Sequence, residues 1–495
     1  MVLGIDLGTT YSVGAYVDND GNPCVVTNLD GENTTPSVVY FEDESSVIVG
    51  QAAKDNCIID SQNVVSTVKN YMGEKKIYRS SYGKEYTPEV ISSFILRKVV
   101  SDAEKRLGES IKDVVITIPA YFTDAQRIAT EDAAKIAGLN LISTINEPTA
   151  AALYYATTSN VNSGNIMIYD LGGGTFDVTI IQIDNGNIVV KSTGGLSKVG
   201  GRFFDEKIID YIADYMDQRY DIDIEDEEYI DTYQDLFEKV EKAKIQLSNK
   251  ANTKIVVRFG SVKDSIIYTR DQFEEIVEKL YKRSEFVVKK ALSDAKLSFS
   301  DLDKVILVGG SSKIPYIENK LSELTGKPIS HEVHPDLVVA QGAALFGKQL
   351  EKNEKTIYDV CSHSIGIVTL DPITYKKKNS IQIKRNTTLP TKATLPFKTA
   401  VINQKHIEFT LTEGEFEEVT DVSVISTTDI DLPSNLPEGT KGIINLELNE
   451  SQIIHVFLEI PSADFKEEFS FERKSNLTED EKAAFSGIIA DYDVN

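Results

Sequence analysis

The sequence predicts a large α/β region of two related lobes followed by a small all-β domain. Three observations carry that prediction. Up to about residue 350, apolar strand-like runs alternate with amphipathic helical patterns. One short hairpin motif occurs twice, around Asp6 and again around Asp170. Beyond residue 350 the pattern becomes short alternating strands punctuated by turn residues. At 495 residues the chain exceeds what a single core supports, so several domains are expected.

The elements follow in order. Val114-Val115-Ile116-Thr117-Ile118 reads as a buried strand leading into a helix over residues 123–137, which Gly138 stops. Residues 240–248 form another helical stretch, with Val240, Ala243 and Leu247 on one face and Glu241, Lys244 and Ser248 on a neighbouring polar face. The α/β region is taken as 1–350. A charged stretch beginning Glu351-Lys352-Asn353-Glu354-Lys355 opens a linker over 351–360. A β-sandwich is expected over 361–475, with strands at Ile444–Leu448, His455–Phe457 and Phe469–Phe471. Thr478 followed by Glu481 caps one brief helix in a stub over 476–495.

Composition narrows the function. The balance of 52 Lys+Arg against 77 Asp+Glu gives a net charge of −25, a surface that repels phosphate backbones, so no nucleic acid partner is expected. No apolar run reaches a membrane span, and the N-terminus enters an apolar strand pattern at once, with no basic region or cleavage site, so no signal peptide is expected. Cys24, Cys57 and Cys361 are too scattered for a disulfide framework or a metal site. His331-Glu332-Val333-His334 misses the spacing that a zincin helix needs. A cytoplasmic protein without membrane contact is the expectation.

The repeated hairpin is the most informative feature. Leu3-Gly4-Ile5-Asp6-Leu7-Gly8-Thr9-Thr10 precedes a strand pattern, and Ile166–Asp170-Leu171-Gly172-Gly173-Gly174-Thr175 precedes another containing Asp177. Glycines let the backbone bend and bring its N–H groups close to an anion, while the threonines add hydroxyl donors. Each turn also carries an aspartate, and two carboxylates facing a polyphosphate repel it. The arrangement makes sense with a cation between them, and Mg²⁺ prefers carboxylate, water and phosphate oxygens. Two hairpins from two lobes would then grip a Mg²⁺–nucleotide. No G-x-G-x-x-G occurs, and Gly195–Gly200 lacks the Walker lysine. A third glycine turn, Val308-Gly309-Gly310-Ser311-Ser312-Lys313-Ile314, ends another buried strand pattern and reads equally as a base or ribose site or a plain strand-to-helix turn.

Together with Ile118-Pro119-Ala120-Tyr121-Phe122, Asn146-Glu147-Pro148-Thr149-Ala150-Ala151-Ala152 and Asn386–Lys392, these motifs resemble the DnaK-type heat-shock chaperones. The resemblance implies a two-lobed actin-like ATPase joined to a peptide-binding β-sandwich, hydrolysing ATP slowly as a timer for client binding. It implies ATP or ADP and Mg²⁺ as cofactors, with K⁺ as a further cation. Asp6, Glu147 and Asp170 would surround the Mg²⁺ and its waters. Gly8, Thr9, Thr10, Tyr11, Gly172, Gly173, Gly174 and Thr175 would line the phosphate site. Lys69 matches the catalytic lysine, and Asp170 or Asp177 would orient the attacking water with it. Glu241, Lys244, Ser248, Gly309, Gly310, Ser311, Lys313, Ile314 and Asp336 match the nucleoside pocket. Pro119 and Arg127 match residues that relay nucleotide state. In the β domain, Ile365, Ile367, Leu370, Phe397, Ala400, Ile407 and Phe409 match the lining of the peptide channel. On alternation alone the same residues read as sandwich core.

Several positions depart from the family pattern. The long helical lid is expected to be lacking, which implies weak retention of extended client peptides. The linker Thr356-Ile357-Tyr358-Asp359-Val360 replaces a leucine-rich run, so weaker docking on the ATPase is expected. Lys313 stands where an arginine usually stacks on adenine, and lysine has no planar face to offer. Gly200-Gly201-Arg202-Phe203-Phe204-Asp205 lacks the family's acidic pair. A J-domain co-chaperone and an exchange factor are implied partners, and Glu131 and Ser143, in place of basic residues, argue against the housekeeping J-domain contact. The competing expectation is a nucleotide-gated scaffold or assembly factor with little hydrolysis and one dedicated partner.

Overall fold

Two six-stranded sheets with the same strand order organise the α/β region of this computed structural model. It describes residues 1–159, 161–330, 333–354, 356–371, 374, 376–449, 454–469, 476–490 and 492–494. His331 and Glu332 of the zincin-like motif, Lys355 of the linker, and Ser470 and Phe471 of the last expected strand lie outside the described residues.

In the first sheet Asn140–Asn146, Asp113–Ile118 and Leu3–Leu7 run parallel, and Leu3–Leu7 turns back antiparallel into Tyr11–Val17 and Pro23–Val25. In the second, Ile329–Ser330, Lys304–Val308 and Ser163–Leu171 run parallel and turn back into Thr175–Asp184 and Asn187–Ser197. The repeated hairpin therefore occupies the same place in each sheet, at the carboxyl end of a central parallel strand. Central strands are apolar nearly throughout because both faces are covered. Tyr169, Phe176 and Ile180 are fully buried in the second core, as Leu3, Ile5 and Phe94 are in the first.

Helices join the two sheets. Val338–Glu351 lies on Leu3–Leu7 so closely that a Cβ on Gly4 would meet the Ala340 carbonyl at 2.7 Å. The same helix crosses Glu147–Thr158 at Gly342, where a side chain would collide with the Ala150 backbone. The helix expected over 123–137 is Asp124–Ile136, started by a capping box in which the Thr123 N–H donates to Gln126 Oε1 at 3.0 Å.

The region beyond residue 360 folds as two facing four-stranded antiparallel sheets. One holds Lys377–Ile383, Ile365–Leu370, His406–Glu413 and Ser423–Asp431, and the other Thr391–Lys398, Lys441–Leu448, Ile454–Ile460 and Phe465–Phe469. Between them Phe409, Leu411 and Ile430 pack with Leu446, Val456 and Leu458 in a core of its own.

The linker is docked even without the leucine-rich run. Ile357–Tyr358 adds a parallel edge strand to Asn187–Ser197, and Val360 is buried in the second lobe. Asp359 accepts from Asn146 Nδ2 at 2.9 Å. Backbone pairing needs no leucine, so the strand forms with the residues present. Around this strand the sandwich touches both lobes. Arg127 donates to Ser362 Oγ at 3.1 Å, the Asp124 N–H to Glu413 at 3.0 Å, and the Thr193 N–H to Asn386 Oδ1 at 3.0 Å. Burial holds His363 neutral, its pKa lowered to about 4, and its Nε2 lies 3.1 Å from the Tyr121 carbonyl.

Candidate functional site

The two hairpins face each other across one cavity of about 1310 Å³ between the lobes. Asp6 and Asp170 both line it. The turns themselves touch. A Cβ on Gly173 would collide with the Thr10 hydroxyl and come within 3.8 Å of Thr9, so only glycine lets the second turn approach the first. Gly309 has φ +81°, and a Cβ there would meet the Leu171 carbonyl at 2.5 Å and Asp170 Oδ1 at 2.7 Å. The third glycine turn is thereby pressed onto the second hairpin, ahead of the helix Pro315–Thr325.

The floor of the cavity is a cluster of carboxyls around one lysine. Lys69 sits in the short helical turn Val68–Tyr71, 7% exposed, and its Nζ is 2.5 Å from Glu147 Oε1. Glu147 opens its helix beside Pro148, which pre-sets the first turn. Thr117 Oγ1 donates to Asp6 Oδ1 at 2.9 Å. Burial, then repulsion from Glu147, pushes Asp6 up to about 7 against the attraction of Lys69. Asp170 is pushed well above the usual carboxylate range by burial and by Glu147, Asp177 and Asp6. For Lys69, burial alone would lower the pKa, and attraction from Glu147, Asp6 and Asp170 reverses the sign, so the ammonium is held charged.

This donor set fits a hydrated divalent cation. Too many buried carboxyls for one lysine is an arrangement that a further positive charge relieves. Among the described residues no three carboxyl, histidine or cysteine groups converge closely enough to wrap an ion directly, so an ion here would keep waters between itself and Asp6, Glu147 and Asp170.

One face of the helix Ile230–Leu247, and Ser248 at its end, line the opposite wall. Glu241 reaches Lys54 of the first lobe at 2.5 Å, closing the cleft, and the Lys54 ammonium stands 5.5 Å from the Tyr11 ring centroid. Lys244 donates to the Gly201 carbonyl at 3.0 Å and pairs with Asp205 at 2.7 Å. Lys313 pairs with Asp336, tying the third turn to the neighbouring loop. Gly8, Thr9, Thr175, Gly310, Ser311 and Ile314 line the same cavity, as do Thr10, Gly172 and Gly173.

Two of the expected residues stand elsewhere. Gly174 faces the Asn70 side chain instead of the cavity. Asp177 lies behind the wall, 1% exposed, accepting the Tyr121 N–H at 3.1 Å, and so is not placed to orient a water in the cavity. The sequence reading also missed Lys54, Arg202 and Phe237, all of which line the cavity, the Arg202 guanidinium resting 3.6 Å from the Phe237 ring centroid. Phe237 lies one turn before Glu241 and was within reach of the same periodicity, whereas nothing local marks Lys54.

Asp177 gives a pH test. Burial, then Glu147, pushes it up to about 8. A carboxyl raised in the native state contributes stability that is whole below its unfolded pKa near 4 and is lost as pH climbs through 8. Asp177→Asn keeps an oxygen for the Tyr121 N–H and removes the ionisation. Its stability should gain on the parent by about 4 kcal/mol between pH 5 and pH 8, at roughly 1.4 kcal/mol per pH unit. Melting midpoints across that range check this, and a constant gap between the two proteins would exclude the ionisation.

Comparison with known proteins agrees with this geometry. The family model for Hsp70 protein matches residues 2–79 and 74–488. The chain belongs to the Hsp70 family. A chaperone protein dnaK of Cyanidium caldarium is 38% identical over 526 aligned positions, which cover all of this chain and 83% of that protein. This Hsp70 is an ATPase and an ATP-dependent chaperone that binds unfolded polypeptides. Membership implies the two-lobed actin-like ATPase followed by a β-sandwich, and ATP or ADP with Mg²⁺ as cofactors. No helix among the described residues is long and apolar enough to cross a membrane.

The residues matched to the peptide channel divide by burial. Ile365, Ile367 and Phe409 are 4%, 8% and 3% exposed within the sandwich core, and Phe397 and Ile407 pack against that core. Leu370 is 62% exposed and Ala400 is exposed.

Proposed function

We propose that ATP binds with its phosphates between the two hairpins and that its hydrolysis controls the affinity of the β domain for extended apolar peptides. The observation that supports this most is the meeting of Thr9 and Thr10 with Gly173 in the same cavity that Asp6, Glu147, Asp170 and Lys69 line. Backbone N–H groups and the hydroxyls of Thr9, Thr10 and Thr175 would take the phosphate oxygens, and Glu241, Lys244, Ser248, Ser311, Lys313 and Asp336 the nucleoside. Mg²⁺, and K⁺ beside it, would supply charge neutralisation at the phosphates, held through waters by Asp6, Glu147 and Asp170. Lys69 and Asp170 orient the attacking water, and little else is required, since phosphoryl transfer depends on positioning and charge.

In this reading 1–350 is the ATPase unit, 351–360 the linker and 361–475 the client-binding sandwich. Asp177 acts as a relay, lying between the carboxyl cluster and the Tyr121 backbone that His363 contacts. Arg127 carries the same signal to Ser362. Glu131 and Ser143 favour partners other than the housekeeping J-domain protein, and the reducing cytoplasm suits the three free cysteines.

Peptide-array binding with ATP and with ADP tests the coupling. Apolar peptides should bind more tightly with ADP, and equal binding in both states would overturn the proposal. Asp359→Ala removes the acceptor of Asn146 and a charge facing Arg127. It should shrink the ATP-to-ADP affinity ratio about tenfold, the size of a typical coupling energy. An unchanged ratio would take the linker aspartate out of the pathway.

A further inference from the structure

One titratable ring is closed inside the seam between the sandwich and the first lobe. His363 lies between the linker and the first sandwich strand, Ile365–Leu370, and is 8% exposed. Its imidazole packs on the Tyr121 ring with centroids 4.2 Å apart, and its Nε2 is 3.1 Å from the Tyr121 carbonyl. A carbonyl only accepts, so Nε2 carries the hydrogen and the neutral ring has none on Nδ1. Tyr121 belongs to the loop that leads from Asp113–Ile118 into Asp124–Ile136. Ring and partner therefore stand on opposite sides of the boundary between sandwich and lobe. Among the described histidines it alone is buried, since His334 and His406 are exposed and His455 is half-buried.

The surroundings resist a second ring proton. From the first lobe the seam is faced by Asp124 and Arg127, with Asp177 behind the Tyr121 N–H. The linker end contributes Asp359 and Cys361, and the sandwich contributes Arg385, Glu413 and Glu415. The two guanidiniums repel an imidazolium. The carboxylates that would answer it are already engaged. Glu415 accepts the Ser364 N–H at 2.9 Å and its hydroxyl at 2.8 Å, and Glu413 accepts the Asp124 N–H at 3.0 Å. Parting the two domains returns the ring to water, where its charged form is well solvated.

We propose that His363 is a proton-operated release of the sandwich from the first lobe, a proton taken up by this ring loosening the seam so that mild acid favours separation. This goes beyond the assignment of the nucleotide site and stands without it. Burial first, with Arg127 and Arg385 adding to it against Tyr121 and Glu415, lowers the docked ring to about 4. A freed ring titrates near 6.5, so its contribution to docking is whole above that value and is lost as pH falls toward 4. From pH 7.5 to pH 5.5 the ratio of separated to docked molecules should rise about tenfold on this account. Burial raises Asp359, so the linker carboxyl responds to acid in the opposite sense. The share of the histidine is therefore read as a difference between two proteins.

Hydrogen exchange of the full chain, with ATP throughout and intrinsic rates corrected for pH, supplies that difference. The Asp124 amide bonds across the seam to Glu413, so its protection reports docking. His363→Gln keeps an N–H for the Tyr121 carbonyl and cannot titrate. Between pH 7.5 and pH 5.5, Asp124 protection in the parent should fall about tenfold relative to the variant. A parent-to-variant ratio that stays level or rises would overturn the release. Should the variant not dock even at pH 7.5, the His363 ring resonance of the parent decides the matter. Asp124 protection lost in step with protonation of that ring supports the proposal, and ring protonation that leaves Asp124 protection unchanged sinks it.

Discussion

Single-turnover decay of ATP in Lys69→Ala is expected to be slower by about 10²- to 10³-fold, the range seen when one preorganised charge is removed from a transition state. The reasoning starts from the balance of charge on the cavity floor. Asp6, Glu147 and Asp170 share that floor, and Lys69 is the cation whose attraction opposes the upward shifts of Asp6, Asp170 and Asp177. Without it the carboxyls hold their protons more tightly, and Glu147 loses a partner at 2.5 Å. Both changes reduce the negative charge available to hold a hydrated cation and to orient a water. Nucleotide affinity should fall far less, because the backbone turns and the nucleoside wall are untouched. Lys69→Met restores the volume of the stem and separates lost charge from a lost contact, so it should be as slow as the alanine variant. Decay at the parent rate in either variant would remove Lys69 from the chemistry.

The sequence displayed the parts of this site that are made locally. A glycine-rich turn with an aspartate between two apolar strands is its own signature, and its duplication carried the two-lobe reading. The polar face of Ile230–Leu247 followed from periodicity. Lys69 was visible only through resemblance. It sits in one turn after Thr67, whose φ is +55°, and owes its role to Glu147, far along the chain. Lys54 is hidden for the same reason, since its partner Glu241 comes from the other lobe. Asp177 misled because it shares a hairpin with Asp170, while the Tyr121 N–H that engages it belongs to a distant loop. The brief helix after Thr478 was legible from its capping residues, and its destination was not, because a local pattern specifies a helix but not which core receives it. The channel residues show the opposite ambiguity. Strand alternation marks every inward position, and Ile365 and Phe409 obey it as core.

Phe409→Asp is therefore expected to unfold the sandwich while leaving the ATPase lobes intact. The Phe409 ring lies 3% exposed in a cluster that shares no member with the two lobe cores. Removing a buried aromatic ring costs about 3–5 kcal/mol, and the carboxylate left in its place adds the penalty of an unpaired buried charge. A domain of this size has only about 5–15 kcal/mol in hand. Calorimetry should show the sandwich transition lost or shifted far down, with nucleotide still stabilising what remains. Peptide binding would vanish too, but for want of a scaffold, so this variant alone does not assign a channel. Leu370→Asp supplies the contrast. Leu370 is 62% exposed, so its substitution should leave the melt unchanged. A selective loss of apolar-peptide binding at an unchanged midpoint would place Leu370 at the client site. Full binding by that variant would mean that peptides are held elsewhere on the sandwich.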